Sequence, residues 1–155
     1  MVTRAAITAG IALAALIVWL RRHLVVVDVD GRSMQPTLHE GDRVLVVRRS
    51  LRHIRSGDIV VVENPLRQPS GAAARASRNL AGHTWMIKRA VAVPGDPVPL
   101  SLAAVVSAAA GALVPDRRLL VLGDNPAHSA DSRQHGYLAG DRVLGVVVHR
   151  FGRRR

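Results

Sequence analysis

The hydrophobic pattern divides the chain near residue 23. Ala5 to Leu20 (AAITAGIALAALIVWL) carries no charge over 16 residues. As a helix it spans roughly 24 Å at about 1.5 Å per residue. Adding Val2 to Arg4, with Arg4 and Arg21 snorkelling, nearly closes the gap to a ~30 Å hydrocarbon core. Trp19 falls where an interfacial anchor belongs. A cleaved leader or a buried core helix are the alternatives. The run is followed by Arg21-Arg22-His23-Leu24-Val25, not by the small residues of a cleavage site. Residues 1–23 are therefore read as a retained single-pass anchor.

Beyond it the pattern changes to short Val-rich runs bounded by Gly, Pro, Asp or Asn. They are Leu24 to Val29, Arg43 to Val47, Asp58 to Glu63, Trp85 to Val93, Leu119 to Leu122 and Arg142 to His149. Such spacing predicts a mainly β domain over residues 24–150. Leu66 to His83, rich in Arg, Ala, Ser and Gly, reads as a mobile loop. Ser101 to Val114 is apolar but too short for a second span, and predicts a packed helix or hairpin arm. Residues 151–155 form a basic tail, with fraying expected from Arg150.

Composition narrows the chemistry. The chain has no cysteine, which excludes disulfide staples and a thiol nucleophile. Its seven histidines show no zinc-binding spacing, and no metal or organic cofactor is expected. A net charge of +11 suits an anionic surface. With 3% aromatics and no base-reading motif, that surface is a lipid bilayer and not nucleic acid. Most of the arginines also fit a plain solvated face.

Three constellations carry potential chemistry. In the first, Gly31-Arg32-Ser33-Met34-Gln35-Pro36-Thr37-Leu38 precedes Gly41-Asp42. A serine between a strand and a proline turn exposes its hydroxyl beside unpaired backbone N–H groups, an arrangement fit for an oxyanion hole. Alone, Ser33 is equally a turn former. In the second, Lys88 shares one face of an alternating strand with Met86 and Ala90. Desolvation there lowers an amine's pKa, and a shift from 10.4 to about 7 removes roughly 4–5 kcal/mol of activation cost. Alone, Lys88 reads as a snorkelling strand lysine. The third is a polar turn from Gly123-Asp124-Asn125 through Ser129 and Asp131-Ser132-Arg133. It offers an Asp131–Arg133 ion pair and short hydroxyl donors, and is ambiguous by itself.

In this order the three resemble the type I signal peptidases, the S26 family of serine proteases, over nearly all of Leu24 to Val148. Gly57-Asp58-Ile59-Val60-Val61-Val62 matches a strand between the first two motifs. The resemblance implies Ser33 as nucleophile, Lys88 as general base and Ser129 as the hydroxyl that orients the lysine. It implies Gly31 and Met34 at the oxyanion hole and substrate cleft. Gly123, Asp124, Asn125, Asp131 and Arg133 become the supporting motif. The implied fold is a β catalytic domain shared with self-cleaving repressor proteases. Gly31 stands where some members have a serine donor, so the second oxyanion donor is backbone or water. Pro126, Ala127 and His128 depart from the usual G-D-N-R-x-N-S pattern.

The implied activity is removal of signal peptides from exported precursor proteins. Two alternatives stay open: a dedicated maturase of one precursor, as for nickel superoxide dismutase, and a catalytically silent basic membrane protein. A Ser–His–Asp hydrolase is weaker, for want of a G-x-S-x-G elbow. The family places its catalytic domain outside the cytoplasm, whereas Arg21, Arg22 and Arg32 favour the inside. The natural substrate and the oligomeric state are not legible.

Overall fold

The computed structural model describes residues 2–65 and 85–153, and the loop expected at Leu66 to His83 lies outside them. Helix α1 runs from Val2 to His23. His23 Nδ1 lies 2.8 Å from the carbonyl oxygen of Trp19, and the two rings stack at 4.7 Å. From Gly10 to Arg22 every residue of α1 is exposed, Ile11, Leu13 and Leu16 among them. Among the described residues no helix is long and apolar enough to cross a membrane.

Seven strands follow: β1 (Leu24–Asp28), β2 (Asp42–Arg48), β3 (Ile59–Glu63), β4 (Trp85–Ala92), β5 (Arg118–Leu122), β6 (Leu138–Ala139) and β7 (Val143–Arg153). They pair antiparallel in the order β1-β2-β7-β3-β4-β5-β6. β3 lies in the middle, and its Val60, Val61 and Val62 are fully buried. Alternation sends Val60 and Val62 into one core with Ile54, Ala90, Leu119 and Val121. Val61 enters the other with Val29, Met34, Val44 and Val46. A strand covered on both faces has no polar alternation, which is why the run Ile59 to Val62 is continuously apolar. Register shifts in β2–β7, β3–β7 and β4–β5 mark irregular pairing that bends the sheet around these cores.

The apolar segment after Pro99 is a one-turn helix, Leu100–Ala103, followed by a return that bridges Pro97 to Leu113. Its fully buried Leu102 packs with Ala92, Val98, Val114 and Leu120 in a third cluster. The tail corrects an expectation. β7 continues through Arg153, paired to β2 up to Asp42, so residues 150–153 are not frayed. The cause is Asp42, fully buried and bound by Arg150 Nε at 2.9 Å. A buried carboxylate without a partner is costly, and the arginine that satisfies it draws β7 along β2.

Candidate active site

Ser33 follows β1 on a turn made possible by Gly31, whose φ of +81° suits glycine. Met34, 1% exposed, is inserted into the core beside Val29 and Leu38 and fixes the serine's neighbour. Ser33's own carbonyl accepts the N–H of Asn125 at 2.9 Å. The first motif is thus tied by backbone to the third.

Lys88 stands on β4 opposite Val60 of β3 and is only 4% exposed. Burial lowers its pKa from the usual lysine value of 10.5; the Asp131 carboxylate pulls it back up, and Arg133 lowers it further. The net direction is downward. Ser33 and Lys88 line one cleft of about 410 Å³, together with Gly31, Met34, His128 and Ala130.

Behind the cleft sits Asp131, with no exposed surface. Its Oδ2 accepts from Gly123 N (2.8 Å), Ser129 Oγ (2.6 Å) and Arg133 Nη2 (2.6 Å). Its Oδ1 accepts from Arg133 N (3.1 Å) and Nε (2.9 Å). It also caps the one-turn helix Ser132–His135, with Gln134 closing the box. Burial works against its ionisation, but Arg133, the Gly123 N–H and the Ser129 hydroxyl prevail and hold its pKa at about 2. Ser129 therefore gives its single proton to Asp131 and presents its oxygen to other donors as an acceptor.

A second network escaped the sequence reading. Arg89, on the face of β4 opposite Lys88, grips Asp124 with Nε at 2.8 Å and Nη2 at 2.6 Å. Thr37 Oγ1 donates to the same carboxylate. The Arg89 hydrogen bond leads in lowering the pKa of Asp124, against burial, with Thr37 adding to it. One residue from each constellation thereby meets at a single ion pair. The signal was limited to the presence of Thr37, Arg89 and Asp124 as polar residues in or beside the three motifs. Their separation by 35 and 87 positions hid the pairing.

In this mainly β domain a serine and a buried, desolvated lysine line one cleft. The model of one family, signal peptidase, peptidase S26, matches residues 2–108 and 101–151. The chain belongs to that family. It is 33% identical over 141 residues to the probable signal peptidase I-2 of Synechocystis sp., covering 79% of this chain and 61% of that protein. Signal peptidase I T of Bacillus subtilis is 28% identical over 169 residues, covering 88% of this chain and 79% of that one. The mitochondrial ATP-independent inner membrane protease subunit 1b of Arabidopsis thaliana is 34% identical over 127 residues, 77% of this chain and 65% of its own. The match thus spans less than two thirds of the Synechocystis protein's length.

Proposed function

We propose that the chain is a membrane-anchored serine endopeptidase that removes signal peptides from exported precursors. The observation that carries this reading is the cleft shared by Ser33 and a buried Lys88 of lowered pKa. Ser33 Oγ attacks the scissile carbonyl while neutral Lys88 Nζ takes its proton, then returns it to the leaving amine. The N–H of Ser33 faces the developing oxyanion. In this scheme Ser129, whose hydroxyl donates to Asp131, keeps its oxygen free to accept from Lys88 and so to orient the amine toward Ser33. The scheme uses no cofactor. The anchor is α1, whose exposed apolar side chains need an apolar surrounding and end at Arg21-Arg22-His23. We place the catalytic domain on the outer side.

The test is cleavage of a precursor by the full chain in mixed micelles, with the new N-terminus sequenced. Cuts after small residues at −1 and −3 support the reading, and no cut in several such precursors sinks it. Protease added to intact spheroplasts checks orientation: a catalytic domain that is protected until the membrane is breached refutes the outward placement. A protected domain favours the dedicated-maturase alternative. In that alternative His128 and Ala130, which line the cleft, would take part in selecting the precursor.

The pH dependence follows from the direction of the Lys88 shift. The catalytic form is the neutral amine, so kcat/KM rises with pH through a pKa that lies below 10.5 and then levels off. Activity that instead falls as pH rises through neutrality refutes lysine as base. Ser129→Ala tests its partner. Because Ser129 orients the base, its loss lowers kcat by about 10²-fold with KM nearly constant. A variant changed only in KM would make Ser129 a substrate contact.

A further inference from the structure

A second recess, of about 700 Å³, shares Trp85 with the cleft. Its walls come from the last turn of α1 (Arg22, His23), the end of β2 and the turn after it (Arg48, Arg49, Ser50) and the start of β7 with the residues before it (Asp141, Arg142, Val143, Leu144). Glu63 and Trp85 close it. Four guanidiniums face two carboxylates, so the recess is cationic. Arg142, half-buried, lines the recess, and its Nη1 is buried without a hydrogen-bond partner among the described residues. A buried guanidinium nitrogen with nothing to donate to is costly unless an acceptor enters.

Location decides which acceptor. α1 ends at His23 and β1 begins at Leu24, so no linker separates the apolar helix from the sheet. The recess opens where that helix stops, which is the level of lipid headgroups if α1 is the anchor. Arginine forks match phosphate oxygens in pairs, and basic pockets at this depth suit anionic headgroups. We propose that this recess binds the phosphate of an anionic phospholipid, held by Arg22, Arg49 and Arg142. The site rests on the membrane reading of α1 but not on the catalytic one. It also reaches the cleft: Trp85 lines both hollows, and β1, about 16 Å long, runs from the recess to Val27 and Asp28 at the cleft wall. A bound headgroup fixes the near end of β1 and so sets the distance from bilayer to scissile bond.

Trp85 is also the reporter, because the chain has two tryptophans and Trp19→Phe leaves it alone. The full chain in an uncharged detergent is titrated with short-chain phosphatidylglycerol, short-chain phosphatidylcholine and inorganic phosphate. A saturable fluorescence change is expected with phosphatidylglycerol at concentrations where the other two give little. Arg49→Gln and Arg142→Gln should each weaken it about tenfold, the loss of one charge-assisted hydrogen bond. Both should leave cleavage of a soluble peptide unchanged. Arg49 is exposed, so its variant carries the test even if Arg142→Gln folds poorly. An equal response to inorganic phosphate overturns the lipid assignment. A response that survives both substitutions, or none at all, overturns the site. Binding is read without turnover, so a chain that cuts no precursor leaves this result intact.

Discussion

Ser33→Ala and Lys88→Met should each abolish precursor cleavage, by on the order of 10⁴-fold or more, and Lys88→Met should do so while raising Tm. The first half follows from the proposed pairing, since nucleophile and base act as one unit and losing either removes most of what both supply. The second half follows from burial. Lys88 is 4% exposed, and its lowered pKa means that desolvation outweighs the attraction of Asp131. At any pH below 10.5 the unfolded lysine is protonated, whereas the folded one is increasingly neutral once pH exceeds its lowered pKa. The unfolded state therefore binds more protons, stability climbs with pH across that interval, and the penalty is greatest below it. Methionine fills a similar volume and owes no such penalty, so a gain of about 1 kcal/mol, or about 4 °C in Tm, is expected. Asp131 is not orphaned by the change, because Arg133, Gly123 and Ser129 already satisfy it. Thermal unfolding and a cleavage assay on one preparation separate the outcomes. A lower Tm would mean that the fold stabilises the ammonium. Near-normal turnover would move the base elsewhere, with His128 of the same cleft the first place to look.

Strands with valine at nearly every position were legible, because both the alternation and the fully buried run of β3 leave a compositional trace. β6 was not. Leu138–Ala139, paired with β5, is two residues long, too short for alternation to show. The end of β7 was misread for a related reason. Arg150 to Arg153 looks like a solvated tail, and only the buried carboxylate of Asp42 explains why it stays on the sheet. At the site, the three motifs were legible as motifs, but their internal wiring was not. A sequence shows that Thr37, Arg89 and Asp124 are polar; it does not show that the antiparallel register of β4 with β5 sets Arg89 opposite Leu122, two residues from Asp124. Asp131 looked like half of a local ion pair and proved to be the acceptor of five hydrogen bonds from three residues. Its burial is a tertiary property without a local signature.

Gly123→Ala should cost at least about 10² in kcat while adding only one methyl group. A Cβ built on Gly123 would run into Ser129 Oγ and lie 2.6 Å from Ser129 Cβ and 2.6 Å from the carbonyl oxygen of Ser33. The hydroxyl can rotate away. Ser129 Cβ and the Ser33 carbonyl cannot move without their backbones, and that carbonyl is held by Asn125 N at 2.9 Å. Gly123 itself is buried and tethered through its N–H to Asp131 at 2.8 Å. Relief must therefore come from the segments bearing Ser33 and Ser129, which shift apart by several tenths of an ångström. Overpacking of this kind costs about 1–3 kcal/mol, which a domain with three buried clusters can bear while remaining folded. Turnover is less forgiving, since the proposed attack needs Ser33 Oγ, the lysine and the scissile carbonyl in register. Steady-state kinetics beside a far-UV circular dichroism spectrum distinguishes the two effects. A folded variant with kcat down and KM little changed fits a displaced nucleophile. If the single variant turns over normally, the close approach of Gly123 to Ser33 is not what positions the serine.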